Sequence, residues 1–150
     1  MSSARGFTLM EMMLVLAIAA ALTAVAVPNL QPALAAMRLR GAASDVASAL
    51  RHVRGHALSS GREATFTLDI KRHAYQVSSR AKSYALPDSV RLRLFTAEQE
   101  LVGEDLGRIR FFPDGSATGG RVTLEAGGNR RLVDVNWLTG DVTVREEREE

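Results

Sequence analysis

Glu11 stands in an apolar stretch: of the 21 residues from Phe7 to Val27, only it, Thr8 and Thr23 are polar. A carboxylate near the end of a membrane segment costs about 1–3 kcal/mol, less than one at the helix centre. Such a group has two outlets: it pairs with a positive charge from a neighbouring chain, or it reaches interfacial water and does nothing. The other candidate chemistry is thinner. His52 and His56 are four residues apart, so a helix would put both on one face. No Glu completes a zinc-protease pattern with them, and only His73 remains as a third imidazole. The pair reads as solvated helix residues. Asp114 and Asp141 lie in glycine turns, where Asp is expected for backbone reasons, and Ser59-Ser60 precede Gly61 as a helix stop. With no cysteine, no Gly-x-Ser-x-Gly elbow and no closely paired carboxylates, there is no catalytic residue, metal site or cofactor to assign. An enzyme is not expected.

The elements that carry these residues differ sharply along the chain. Its 150 residues allow one compact domain. Seventeen of the 19 basic residues are Arg, scattered among 17 acids for a net charge of +2, so there is no polybasic arm. Phe7 to Val27 as a helix is about 31 Å long at roughly 1.5 Å per residue, matching a hydrocarbon core of roughly 30 Å. Ala24-Val25-Ala26 resembles a signal-peptide cleavage site and Arg5 a minimal positive region. However, the apolar run exceeds the usual signal core of about 7–15 residues and carries an acid. An uncleaved signal anchor is a second reading.

The run Arg5-Gly6-Phe7-Thr8-Leu9-Met10-Glu11, leading straight into Met12-Met13-Leu14-Val15-Leu16-Ala17-Ile18, resembles the class III signal of type IV pilins and type II secretion pseudopilins. The resemblance implies a leader over residues 1–6, prepilin peptidase cleavage between Gly6 and Phe7, and N-methylation of Phe7. It also implies pairing of Glu11 with the terminal amine of a neighbouring subunit. Residues 7–27 would be the transmembrane and filament-core helix. Pro28 sits where these proteins commonly bend, and with Pro32 it interrupts helical hydrogen bonding.

Beyond the prolines, residues 28–60 read as an amphipathic continuation. Leu30, Leu34, Met37, Val46, Leu50, Val53 and Ala57 form its apolar face, apart from a longer gap across Gly41, and Ser59-Ser60-Gly61 end it. From Gly61 the period changes to alternation. Strands are expected around Phe66–Ile70, Tyr75–Val77, Val90–Leu94, Ile109–Phe112, Val122–Leu124, Val133–Trp137 and Val142–Val144, separated by Gly, Pro, Asn and Asp turns. Residues 97–108 read as an acidic exposed loop. Residues 61–144 would form a β-rich globular domain, and 145–150 a solvated, frayed charged tail. The expected fold is α+β, a long N-terminal helix on a small antiparallel two-sheet domain.

Phe112-Pro113-Asp114-Gly115-Ser116-Ala117-Thr118-Gly119-Gly120 lacks the lysine ending of a phosphate loop and the acid density of a calcium loop, so it reads as a turn. With Val122-Thr123-Leu124 and Val135-Asn136-Trp137-Leu138-Thr139-Gly140-Asp141-Val142, it is similar to the GspH/FimT family of H-type minor pseudopilins and related minor pilins. That resemblance implies a structural subunit of the periplasmic pseudopilus, which helps move folded proteins across the outer membrane. Its partners would be other pseudopilins of the filament, the prepilin peptidase and the inner-membrane assembly platform. It would be a single-pass inner-membrane protein with a periplasmic C-terminal domain. Two rivals stand beside it. A minor pilin in pilus assembly or DNA uptake would need a basic stripe, for which Arg91/Arg93 with Arg108/Arg110 is the candidate, although nucleic acid is not the expected partner. A membrane-anchored periplasmic binding module would never polymerise.

Overall fold

The computed structural model describes residues 7–97, 100–102 and 105–148, the side chains of 25–30, 102 and 148 excepted. One helix, α1, runs from Leu9 to Ser60. Thr8 starts it: its Oγ1 accepts the Glu11 N–H at 3.2 Å, so Thr8-Leu9-Met10-Glu11 has the capping-box spacing, with the acid in the first turn. Gly61 stops it with φ of 64° and an N–H donated to the Ala57 carbonyl at 3.1 Å, a left-handed C-cap. The backbone is helical through Pro28 and Pro32. The bend expected at Pro28 falls where side chains lie outside the described residues, and Gly6 lies outside them altogether. No helix among the described residues is long and apolar enough to cross a membrane.

The chain divides into two compact units at Leu34/Ala35, a boundary inside the helix. In the second unit, nine strands among the described residues form two antiparallel sheets. These are β1 (Ala64–Asp69), β2 (Ala74–Val77), β3 (Ser83–Ala85), β4 (Arg91–Thr96), β5 (Leu101–Val102), β6 (Leu106–Phe111), β7 (Gly120–Ala126), β8 (Asn129–Val135) and β9 (Val142–Arg148). One sheet has the order β3-β2-β1-β6-β5, the other β4-β7-β8-β9. The core joins helix residues Leu39, Val46, Leu50, Val53 and Ala57 to Phe66, Leu68, Ile109 and Phe111 of one sheet and Val122, Leu124 and Val133 of the other. Period-two alternation puts those sheet residues on the inner faces.

Four expectations are corrected. The apolar face of the helix begins at Leu39 and runs through Ala42, Ala43 and Val46, while Met37 is 70% exposed. Nine residues separate Met37 from Val46, two and a half helical turns, so the two point to opposite sides. Residues 97–108 are not simply an exposed loop, since Glu100 is only 4% exposed and β5 pairs with β6. The charged run from Arg145 is not a frayed tail: β9 continues to Arg148, which pairs in register with Asn129. Trp137 does not extend the alternation of β8, which ends at Val135.

Candidate functional site

The residues singled out in the sequence fall at separate places. Phe7, Thr8 and Glu11 begin the helix and are exposed. His52 and His56 are exposed, and the His52 Nε2 lies 3.1 Å from the Ser79 hydroxyl, a hydrogen-bond distance. No group of three metal-ligand side chains occurs among the described residues. Asp114 accepts from the Ser116 hydroxyl at 2.6 Å and from the Ser116 N–H at 2.9 Å, and those bonds hold its carboxyl below the usual range. It closes a turn whose Gly115 adopts φ of 89°.

The basic stripe does not form. Arg91 and Arg93 lie on β4 and Arg108 and Arg110 on β6, which belong to different sheets. Arg91 pairs with Glu125 at 3.4 Å. Arg110 donates to Glu100 at 3.1 Å and to Glu63 at 2.9 Å, and Arg108 lies 3.7 Å from Glu100. The two β6 arginines therefore neutralise a buried carboxylate rather than face a polyanion. Their neighbour Thr96, itself buried, donates to the Arg108 carbonyl at 2.8 Å. On the outward face of the second sheet, Asp134 is held between Arg121 and Arg145. Burial pushes its carboxyl up, but the hydrogen bonds from those two arginines win and bring it below the usual range.

The most constructed surface feature is the turn after β8. Asn136 Oδ1 accepts the N–H groups of Leu138 at 2.9 Å and Thr139 at 3.1 Å. Asn136 also exchanges backbone bonds with Asp141 and Gly140, at 3.0 and 2.8 Å. Arg54 reaches over from the helix, donating to the Thr139 carbonyl at 2.8 Å and pairing with Asp141 at 3.3 Å. Gly140 has φ of 65°, and a Cβ there would run into the Gly115 carbonyl oxygen, so the two turns fit only because this position is glycine. Trp137 and Leu138 ride on this scaffold, 65% and 63% exposed. Alternation hides them as a strand continuation; the Asn-x-x-x-Gly-Asp spacing was the available signal for a turn there.

Comparison with known proteins supplies the frame for these sites. The sequence matches the family described as type II transport protein GspH over residues 42–140, and the prokaryotic N-terminal methylation motif over residues 1–27. A protein named type II secretion system protein H, from Xanthomonas campestris pv. campestris, is 36% identical over 138 residues, covering 92% of this chain and 81% of that protein. Among solved structures, the minor pseudopilin EpsH from the type 2 secretion system of Vibrio cholerae superposes with a TM-score of 0.54. The match is 12% identical and covers 74% of this chain and 97% of that one. The type IV minor pilin FimU of Pseudomonas aeruginosa gives the same TM-score at 10% identity, over 71% and 91%. At such identities these two structures establish a shared fold.

Proposed function

Because the chain belongs to the GspH family of type II transport proteins, the H-type minor pseudopilins, we propose that it is cut between Gly6 and Phe7, methylated at Phe7, and assembled into a periplasmic pseudopilus. It is a structural subunit of type II secretion and not an enzyme. Family membership brings the pseudopilus and the prepilin peptidase as partners in general terms. The finer reading is an inner-membrane protein with one span over residues 7–27 and a periplasmic β domain. It meets the assembly platform, other pseudopilins and, through the machine, folded cargo bound for the outer membrane.

The observation that carries this reading is the start of the helix. Every described side chain from Leu9 to Ala24 is exposed in the isolated chain. A helix apolar on all sides needs lipid or like helices around it. Moving it from lipid into a bundle gains little hydrophobic energy, so one charge pair can decide register. Glu11 is suited to that pair, and it also occupies the capping-box position behind Thr8. Glu11→Gln separates the two roles, because Gln also serves at that position of a capping box but carries no charge. Filament incorporation is expected to collapse in Glu11→Gln while the helix start survives; unchanged incorporation would remove the pairing role.

Mass spectrometry of the protein purified from its host membranes tests the processing. A chain starting at Phe7 with one added methyl group is the expected result. A start at Val27, or an intact leader, would overturn it.

A further inference from the structure

The Trp137–Leu138 turn has features that the core does not account for. Its indole and leucine side chains stay in water although the turn is rigidly braced by Asn136, Arg54 and the Gly115 contact. These bonds hold the backbone of the turn, and both side chains leave it towards solvent. Exposed aromatic and aliphatic side chains on a braced backbone are what a protein interface uses as anchors, since little backbone entropy is lost on docking. Next to this turn, and including its Asp141, lies an open groove of about 410 Å³, lined otherwise by Arg51, Arg54, Gly55, Leu58, Val142 and Thr143. Gly55 has nothing among the described residues within 4 Å of where its Cβ would be, so the helix presents bare backbone at this point of the groove. That leaves the groove floor open to another backbone. Leu58 adds a half-exposed apolar wall.

The charge at the rim selects the occupant. Arg54 is matched by Asp141, but Arg51 donates only to the Val142 carbonyl, at 3.1 Å, and has no carboxylate partner among the described residues. We propose that Trp137, Leu138 and this groove dock another pseudopilin of the same filament, one that presents an apolar ridge edged by a carboxylate to meet Arg51. The inference rests on the pseudopilin reading and adds to it a specific surface.

Trp137 is the only tryptophan in the chain, so it reports on its own burial. The full-length protein, labelled with fluorotryptophan and held in detergent, gives one fluorine NMR signal. It is mixed in turn with each of the host's other pseudopilins, full length and unlabelled, with co-elution measured alongside. With one of them the signal is expected to shift or broaden as the complex forms. Leu138→Ser and Arg51→Gln should each weaken that complex, Leu138→Ser by at least about tenfold, with the melting curve of Leu138→Ser unchanged because its side chain is already exposed. A complex that forms while the Trp137 signal stays at its solvent-exposed position would overturn the docking surface and leave the pseudopilin reading intact. Absence of a complex with any of them would sink both. A shift already present in the chain alone in lipid nanodiscs would assign the patch to lipid and overturn the proposal.

Discussion

The two halves of α1 are one continuous helix and obey opposite rules. Leu9 is 82% exposed, and every described side chain to Ala24 is likewise exposed; Leu50 is 0% exposed, and with Val46, Val53 and Ala57 it is sealed inside the domain. Apolar content does not separate them, for the exposed half is the more hydrophobic. Distribution does. The second half has a stripe, with Ser44, Asp45, Ser48 and Arg51 facing water, so one domain can cover it. The first half is apolar on all sides, and no single sheet face covers a full cylinder. Burial of the second half stabilises this chain's own fold, whereas the first half is left uncovered by it.

The largest test of that contrast is Leu50→Ala, which should lower the unfolding free energy of the full chain by about 2–5 kcal/mol in a denaturant titration, the cost of a cavity in a packed core. A loss under about 1 kcal/mol would mean that the outer half of the helix is not the core of the domain. Glu100→Gln comes next. It leaves Arg110 and Arg108 without their buried carboxylate and should cost about 1.5–3 kcal/mol, read as a lowered denaturation midpoint; Glu63→Gln, on the exposed side of the same network, should cost less.

Asp134 contributes a smaller, pH-dependent amount. Burial alone would raise its carboxyl, but the bonds from Arg121 and Arg145 bring it below the usual range. A carboxyl lowered in the folded state stabilises the fold above its unfolded value of about 3.9. That contribution is lost as pH falls through the ordinary carboxylate range towards the lower folded value. Its arginine partners are half-exposed, so the loss should stay under about 1 kcal/mol. Comparing acid unfolding of the parent with Asp134→Asn isolates it, the variant showing the shallower decline over that window. The smallest effect belongs to the first half: Leu16→Ser should leave domain unfolding within about 0.5 kcal/mol. A clear loss of domain stability would break the contrast.

Much of this was legible in the linear chain because the signals are local. Arg5 to Glu11 is a contiguous signal, whereas the cap that Thr8 places on the Glu11 N–H emerged only with the structure. Gly61 as the helix stop and Asp114-Gly115 as a turn follow from conformations those residues favour. Seven of the nine strands showed in alternation. Two did not: Ser83–Ala85 and Leu101–Val102 are three and two residues long, too short for a period to appear, and exist because β2 and β6 offer them edges.

Errors arose where a local pattern was extended past the point at which contacts decide. Met37 fits a three- and four-residue step from Leu34, yet lies half a turn out of phase with Val46. Arg108 and Arg110 look like half of a basic stripe until Glu100 folds beneath them. Arg145 to Arg148 reads as a charge run until β8 supplies a partner for each backbone position. The sequence by itself determined the signal, the helix with its stop, and the two-sheet class, because each depends on residues within a turn or a hairpin of one another. Only the tertiary structure decided which charges are neutralised, which stretch of helix is covered, and that Trp137 and Leu138 are held out to solvent. Those outcomes depend on groups distant in the chain, such as Arg54 and Asp141, and no spacing along the sequence specifies which of them will meet.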